Sequence, residues 1–232
     1  MILKGLQKTT LLDFPTKVAC TVFTSGCNFR CPFCHNASLV INPDNSETVN
    51  IDAFFEYLKK RRNILDGVCI TGGEPLLQKD ISEFISRIKE LGYAVKLDTN
   101  GSKPEVLRSL IDNKLIDYVA MDIKGTLEKY PLICGVEEGR FINEVKESAN
   151  ILLENKVEYE FRTTVVRELH EKDDFHDIGK WISGAKRYFL QQFKDSGDLI
   201  SSSGFSAYDK DEMEEILDIV KGYVPSAELR GV

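Results

Sequence analysis

Short β-rich runs alternate with amphipathic helical stretches along most of this sequence, and that alternation restricts the fold more than any other feature. The runs Val18–Thr24 (VACTVFT), Gly67–Thr71, Ala94–Thr99, Tyr118–Asp122, Tyr159–Val166 and Arg187–Phe193 are rich in β-branched and aromatic residues, as buried strands are. Helical periodicity fills the gaps between them. IDAFFEYLKKRRNIL places Phe54, Phe55 and Leu58 on one stripe, and DISEFISRIKEL does the same with Ile81, Phe84, Ile85 and Ile88. Six β-α units in series call for a parallel sheet with right-handed crossovers, either open or curled into a barrel. A chain of 232 residues can bury one large core, so a single domain is expected. Its core spans about residues 14–193. A polar Gly/Ser loop follows, and then a docked helix with Met213, Ile216, Leu217 and Val220 as its apolar stripe, together filling 194–232.

Charge and cysteine usage set the context. The net charge of −7 argues against a general nucleic-acid or anionic-membrane binder, and the basic cluster Leu58–Asn63 (LKKRRN) reads as a solvated helix face. The N-terminal stretch lacks a sustained apolar segment, and no run of about 18 apolar residues occurs, so a cytoplasmic protein without membrane spans is expected. In that reducing setting six cysteines do not read as a disulfide framework. Cys20, Cys69 and Cys134 are isolated and read as packing residues. His170 and His176, read on a helix spanning LHEKDDFHDIGKWI, are taken as surface or capping residues.

The chemistry-bearing residues collect where strands end, the rim at which parallel α/β folds place their sites. TSGC follows the first strand, TGGEP the second, DTNG the third and MDIKG the fourth. Within Thr24–Ser38 (TSGCNFRCPFCHNAS), Cys27, Cys31 and Cys34 stand close enough on one loop to converge on a metal centre. Soft sulfur ligands favour zinc or an iron-sulfur cluster. A structural zinc site wants four protein ligands, and His35, next to Cys34, is poorly placed to be the fourth. A four-iron cluster held by three thiolates leaves one iron open for another ligand, as a catalytic zinc keeps an open position.

With an aromatic residue, Phe33, before its last cysteine, Cys27-x3-Cys31-x2-Cys34 resembles the signature of radical S-adenosylmethionine enzymes. His35-Asn36 after it, with GGEP, LDTNG and MDIK downstream, resembles the activases of glycyl radical enzymes. Among these the chain looks most like the activating proteins of anaerobic ribonucleoside-triphosphate reductase, from LLDFP near the start to FLQQF near the end. The resemblance implies a partial (β/α)6 barrel of TIM type. It also implies a [4Fe-4S] cluster on Cys27, Cys31 and Cys34 whose open iron is chelated by S-adenosylmethionine. Reductive cleavage of that cofactor gives a 5′-deoxyadenosyl radical, which removes hydrogen from the α-carbon of a glycine in the partner enzyme. An electron donor such as flavodoxin or ferredoxin is implied as well.

Roles for individual residues follow from the same resemblance. Gly72 and Gly73 would let backbone approach the methionine moiety of the cofactor, and Glu74 would support its ammonium. Asp122 and Lys124 would engage the ribose hydroxyls and the carboxylate, and Phe33 and His35 would wall the adenosine. Arg162 is expected to reach the cofactor carboxylate or to lie outside the barrel. Asp98, Thr99, Met121 through its carbonyl, and Asp122 match the ligands of a monovalent cation in a related activase. Asp13 matches an acidic position near the partner's glycine loop. Where formate-lyase activases carry a histidine near the adenine, this chain has LQQF, leaving Gln191, Gln192 or Phe193 for that contact. Three readings compete: the ribonucleotide reductase activase, another radical enzyme (an activase of a different glycyl radical enzyme or a small-molecule enzyme such as a deazapurine-pathway synthase), and a zinc-dependent structural module.

Overall fold

A computed structural model of the chain describes residues 1–41, 47–201 and 204–232. Its framework is one eight-stranded sheet whose strands lie side by side in chain order. The strands are β1 (Leu3–Thr10), β2 (Ala19–Thr24), β3 (Gly67–Gly72), β4 (Ala94–Thr99), β5 (Tyr118–Asp122), β6 (Glu158–Val165), β7 (Tyr188–Gln192) and β8 (Glu228–Arg230). β1 runs antiparallel to β2, and all later neighbours are parallel. β1 and β8 occupy the two edges without pairing to each other. The sheet is therefore a curved, partial barrel, and the six central strands are those expected from the sequence.

The helices are α1 (Ala37–Ile41), α2 (Ile51–Lys60), α3 (Ile81–Glu90), α4 (Pro104–Asp112), α5 (Tyr130–Cys134), α6 (Ile142–Leu153), α7 (Asp174–Trp181) and α8 (Lys210–Lys221). Local chemistry fixes several of their ends. The Asn50 side chain caps α2 by accepting from the Ala53 N–H at 2.9 Å. Asp209 and Glu212 form a reciprocal capping box on α8. α3 buries Ile81, Phe84, Ile85 and Ile88, the stripe its periodicity gives. α8 buries Met213, Ile216 and Val220 while Leu217 is only partly covered. Part of the loop before α8, residues 202–203, lies outside the described residues.

The structure departs from the sequence reading in three places. β1 is an added strand whose mixed burial gives no clear alternation, and β8 is only three residues long. Neither carries a strong strand signal of its own. His170 lies ahead of α7 and is completely buried, not at the surface. Its ring takes the Val166 N–H on Nδ1 at 3.1 Å, and Nε2 donates to the Lys124 carbonyl at 2.8 Å.

Side chains that face the inside of the barrel follow from register. Thr21, Cys69 and Lys96 are successive partners across β2, β3 and β4, and Asp98 lies two residues beyond Lys96 on the same face. Asp122 and Arg162 are direct partners across β5 and β6. Glu160, two residues before Arg162, is held by Tyr118 and by a bidentate pair with Arg230 at 2.8 and 3.0 Å. A polar seam thus runs through an otherwise apolar fold.

Candidate active site

A cavity of about 200 Å³ opens at the carboxyl ends of the strands. The loop after β2 reaches it with Cys27, Cys31, Phe33, Cys34 and His35, the end of β3 with Gly72 and the turn after it with Gly73. β4, β5 and β6 contribute Asp98, Thr99, Asp122 and Arg162, and Lys124 follows β5. All of these positions were singled out in the sequence, and they meet around one space.

Close backbone packing builds the cysteine loop against the turn after β3. The Gly73 N–H donates to the Thr24 carbonyl at 3.0 Å and the Glu74 N–H to the Gly26 carbonyl at 2.8 Å. A β-carbon on Gly73 would stand 1.9 Å from the Gly26 oxygen, and Gly72, with φ of +113°, would bring one to 2.4 Å from the Thr24 nitrogen. These glycines are required by the contact between two loops. The Asn36 side chain donates to the Gly72 carbonyl at 3.0 Å and closes the same junction.

Around the thiols the donors are specific. The Phe29 N–H reaches Cys27 Sγ at 3.3 Å, and Asn100 Nδ2 approaches it at 3.6 Å while donating to Asn28 Oδ1 at 3.0 Å. Burial pushes the Cys27 thiol up to about 12 and raises Cys34, whereas a hydrogen bond from Cys134 lowers Cys31. Cys134, isolated in the sequence, is therefore a neighbour of the cysteine loop. The Arg30 N–H also donates to its carbonyl at 2.7 Å. Among the described residues no group of three or more His, Cys, Asp or Glu side chains is arranged around a single ion. Three thiols distributed on one cavity wall suit a cluster, in which each thiolate binds its own iron.

A charged network lines the same cavity as the thiols. Lys124 Nζ pairs with Asp122 Oδ2 at 2.8 Å, and Arg162 bridges Asp122 Oδ1 at 3.0 Å and Asp98 Oδ2 at 3.1 Å. Lys96, only 2% exposed, donates to Asp98 Oδ1 and lies 3.9 Å from Cys69 Sγ. Burial opposes the charge on Asp122, but Lys124 and Arg162 outweigh it and hold the carboxyl at about 2. Asp98 is likewise lowered against its burial by Arg162 and Lys96. Burial also opposes the charge on Lys124, and Asp122 more than offsets it, so the lysine is raised. The network is ionised throughout the neutral range.

Three expected site residues lie off the cavity wall. Glu74 is fully buried and accepts from Leu76 N at 3.1 Å, Thr99 Oγ1 at 2.8 Å and Asn100 N at 2.7 Å. Its carboxylate ties the turn after β3 to the end of β4. Met121 is buried with its Cε against Gly101. Asp13, in the β1–β2 connection, accepts from Thr21 Oγ1, and its N–H donates to Thr10 Oγ1 at 3.2 Å. Of the three LQQF candidates, Phe193 packs edge-on against His35 with centroids 5.9 Å apart, and Gln192 donates to the Tyr208 carbonyl at 2.8 Å. Lys96 and His170 were missed. A lysine two residues before an aspartate on a buried strand was the available signal for Lys96, and nothing local marks His170.

Three loops bearing cysteines, glycines and charges at one barrel rim define a class, and comparison with known proteins agrees on it. The radical SAM superfamily matches residues 21–182, and the chain belongs to that superfamily. Its members use a [4Fe-4S] cluster and S-adenosylmethionine, and the thiols here fit the cluster. A Methanocaldococcus jannaschii protein provisionally named a glycyl-radical enzyme activating enzyme is 32% identical over 100% of this chain and 96% of its own length. The pyruvate formate-lyase-activating enzyme of Listeria monocytogenes is 35% identical over 44% of this chain and 45% of its own. In fold, Streptococcus suis SuiB superposes with a TM-score of 0.69 at 16% identity, covering 91% of this chain and 48% of that one.

Proposed function

We propose that this chain activates a glycyl radical enzyme by removing hydrogen from a glycine α-carbon, and that its partner is an anaerobic ribonucleoside-triphosphate reductase. The observation that carries the activase reading is similarity along the whole chain to a protein named for that activity, with the cysteine loop and the charged network facing one cavity. Similarity to 7-carboxy-7-deazaguanine synthase covers only 35% of the chain, against 100% for the relative named as an activating enzyme.

Cys27, Cys31 and Cys34 would hold the cluster, which supplies the electron that cleaves S-adenosylmethionine into methionine and a 5′-deoxyadenosyl radical. This chain's residues bind and orient. Lys124 and Arg162, both paired with Asp122, would hold the cofactor carboxylate by charge, and Asp122 would hold the ribose hydroxyls. Phe33, His35 and Phe193 wall the adenine side. Gly72 and Gly73 give the methionine end access to backbone, and Glu74 positions that turn from behind. Asp13 would meet the partner loop, preceded by Leu11 and Leu12, which are 72% and 91% exposed. Flavodoxin or ferredoxin would deliver the electron.

Electron paramagnetic resonance tests the partner choice. Reconstituted protein, reductant and S-adenosylmethionine are mixed with candidate glycyl radical enzymes, and a glycyl doublet is expected with the ribonucleotide reductase. A doublet with only a different enzyme would reassign the partner, and none with any would contradict the activase reading.

A further inference from the structure

The carboxylates flanking the cofactor cavity are saturated by the protein's own cations. Asp98 Oδ1 takes Lys96 and Oδ2 takes Arg162, while Asp122 Oδ1 takes Arg162 and Oδ2 takes Lys124. Two carboxylates thus meet three fixed positive charges. Thr99 Oγ1, a candidate oxygen ligand beside them, donates to Glu74 and accepts from the Gly101 N–H at 3.1 Å. A sodium or potassium ion on Asp98, Thr99, the Met121 carbonyl and Asp122 would have to displace these partners and enter beside the buried ammonium and guanidinium. Like charges brought together in a partly dry site repel strongly. The residues present do not fit a monovalent cation.

We propose that the ammonium of Lys96, held on Asp98 at the base of the cofactor cavity, is the charge this site carries in place of a bound monovalent cation, so that cofactor binding here requires no sodium or potassium ion. Register makes the substitution possible. Lys96 is two residues before Asp98 on β4, so both side chains enter the barrel on the same face, and the lysine reaches the carboxylate from below. Its stem is buried between Cys69 and the neighbouring strands, a place that favours a tethered ammonium over a hydrated ion. Removing that ammonium leaves Asp98 Oδ1 with only the Cys69 thiol, at 3.8 Å, and opens a position into which a small cation can move.

The inference rests on the reading of Asp98 and Asp122 as neighbours of S-adenosylmethionine, and the experiment separates the two. Binding of S-adenosylmethionine to the anaerobically reconstituted protein is measured by titration calorimetry in sodium, potassium and tetramethylammonium chloride at one ionic strength, with sodium NMR relaxation as a second readout. The native protein should bind equally in all three salts, within about twofold, because matched ionic strength leaves general screening constant. It should not broaden the sodium signal. Lys96→Gln should lose roughly tenfold or more in tetramethylammonium, the scale of a lost charge-assisted contact, and regain most of it in sodium or potassium. A purely structural role for Lys96 would give a loss that no cation restores, and that result would overturn the proposal, as would native binding only in sodium or potassium. Binding in no salt would remove the cofactor reading and this proposal with it. If Lys96→Gln does not fold, the native arm decides: salt-independent binding without sodium broadening upholds the proposal, and sodium broadening reversed by potassium overturns it.

Discussion

Lys124 and Asp13 both lie near the polar seam, and the proposed function gives them different work. Lys124 lines the cavity and is locked to Asp122, so Lys124→Ala should weaken S-adenosylmethionine binding about ten- to hundredfold and slow its cleavage whether or not a partner is present. Asp13 is off the wall, so Asp13→Ala should preserve uncoupled cleavage and lower radical yield on the partner, read as 5′-deoxyadenosine without partner and spins with it. His170 acts through the backbone by holding the Lys124 carbonyl. Burial depresses its pKa, so the unfolded chain binds the proton more readily. The stability it contributes is complete above about pH 6.5, its ordinary value, and is lost as pH falls below that. His35 is lowered too, by its own burial, so the comparison with His170→Gln isolates one histidine. Urea midpoints between about pH 5 and pH 7.5 should fall on acidification more steeply in the native protein than in the variant.

At the scale of elements, the cysteine loop is held by the turn after β3. Gly73→Ala would drive a methyl group into the Gly26 carbonyl, so it should lower iron content after reconstitution while leaving far-ultraviolet circular dichroism near native. β8 carries one buried charged pair: Arg230→Ala leaves Glu160, 1% exposed, with Tyr118 as its remaining side-chain partner and should cost roughly 1.5 to 3 kcal/mol in denaturant unfolding. The six central strands were legible because each is a dense β-branched or aromatic run. β1 was not, because an edge strand with one solvated side has no such density, and β8 is too short to carry a pattern. The cysteines, glycines and MDIK residues were legible because chemistry demands their types at their spacing. Cys134 was not: the fold of α5, rather than any spacing, brings it beside Cys31.

At the scale of the whole molecule, the partial barrel leaves β1 and β8 as unpaired edges on either side of the polar seam. The exposed Leu11 and Leu12 stand next to Asp13 in the connection that follows the β1 edge strand. A glycine on an extended loop entering there would travel along the seam toward the cysteine loop, with the cofactor between them. The most direct test of that geometry is isotope transfer. A partner enzyme carrying glycine deuterated at the α-carbon is mixed anaerobically with the reconstituted protein, reductant and unlabelled S-adenosylmethionine, and the 5′-deoxyadenosine is analysed by mass spectrometry. The account predicts deuterium in the 5′-deoxyadenosine in step with glycyl radical spins; 5′-deoxyadenosine that stays unlabelled while spins accumulate would contradict it.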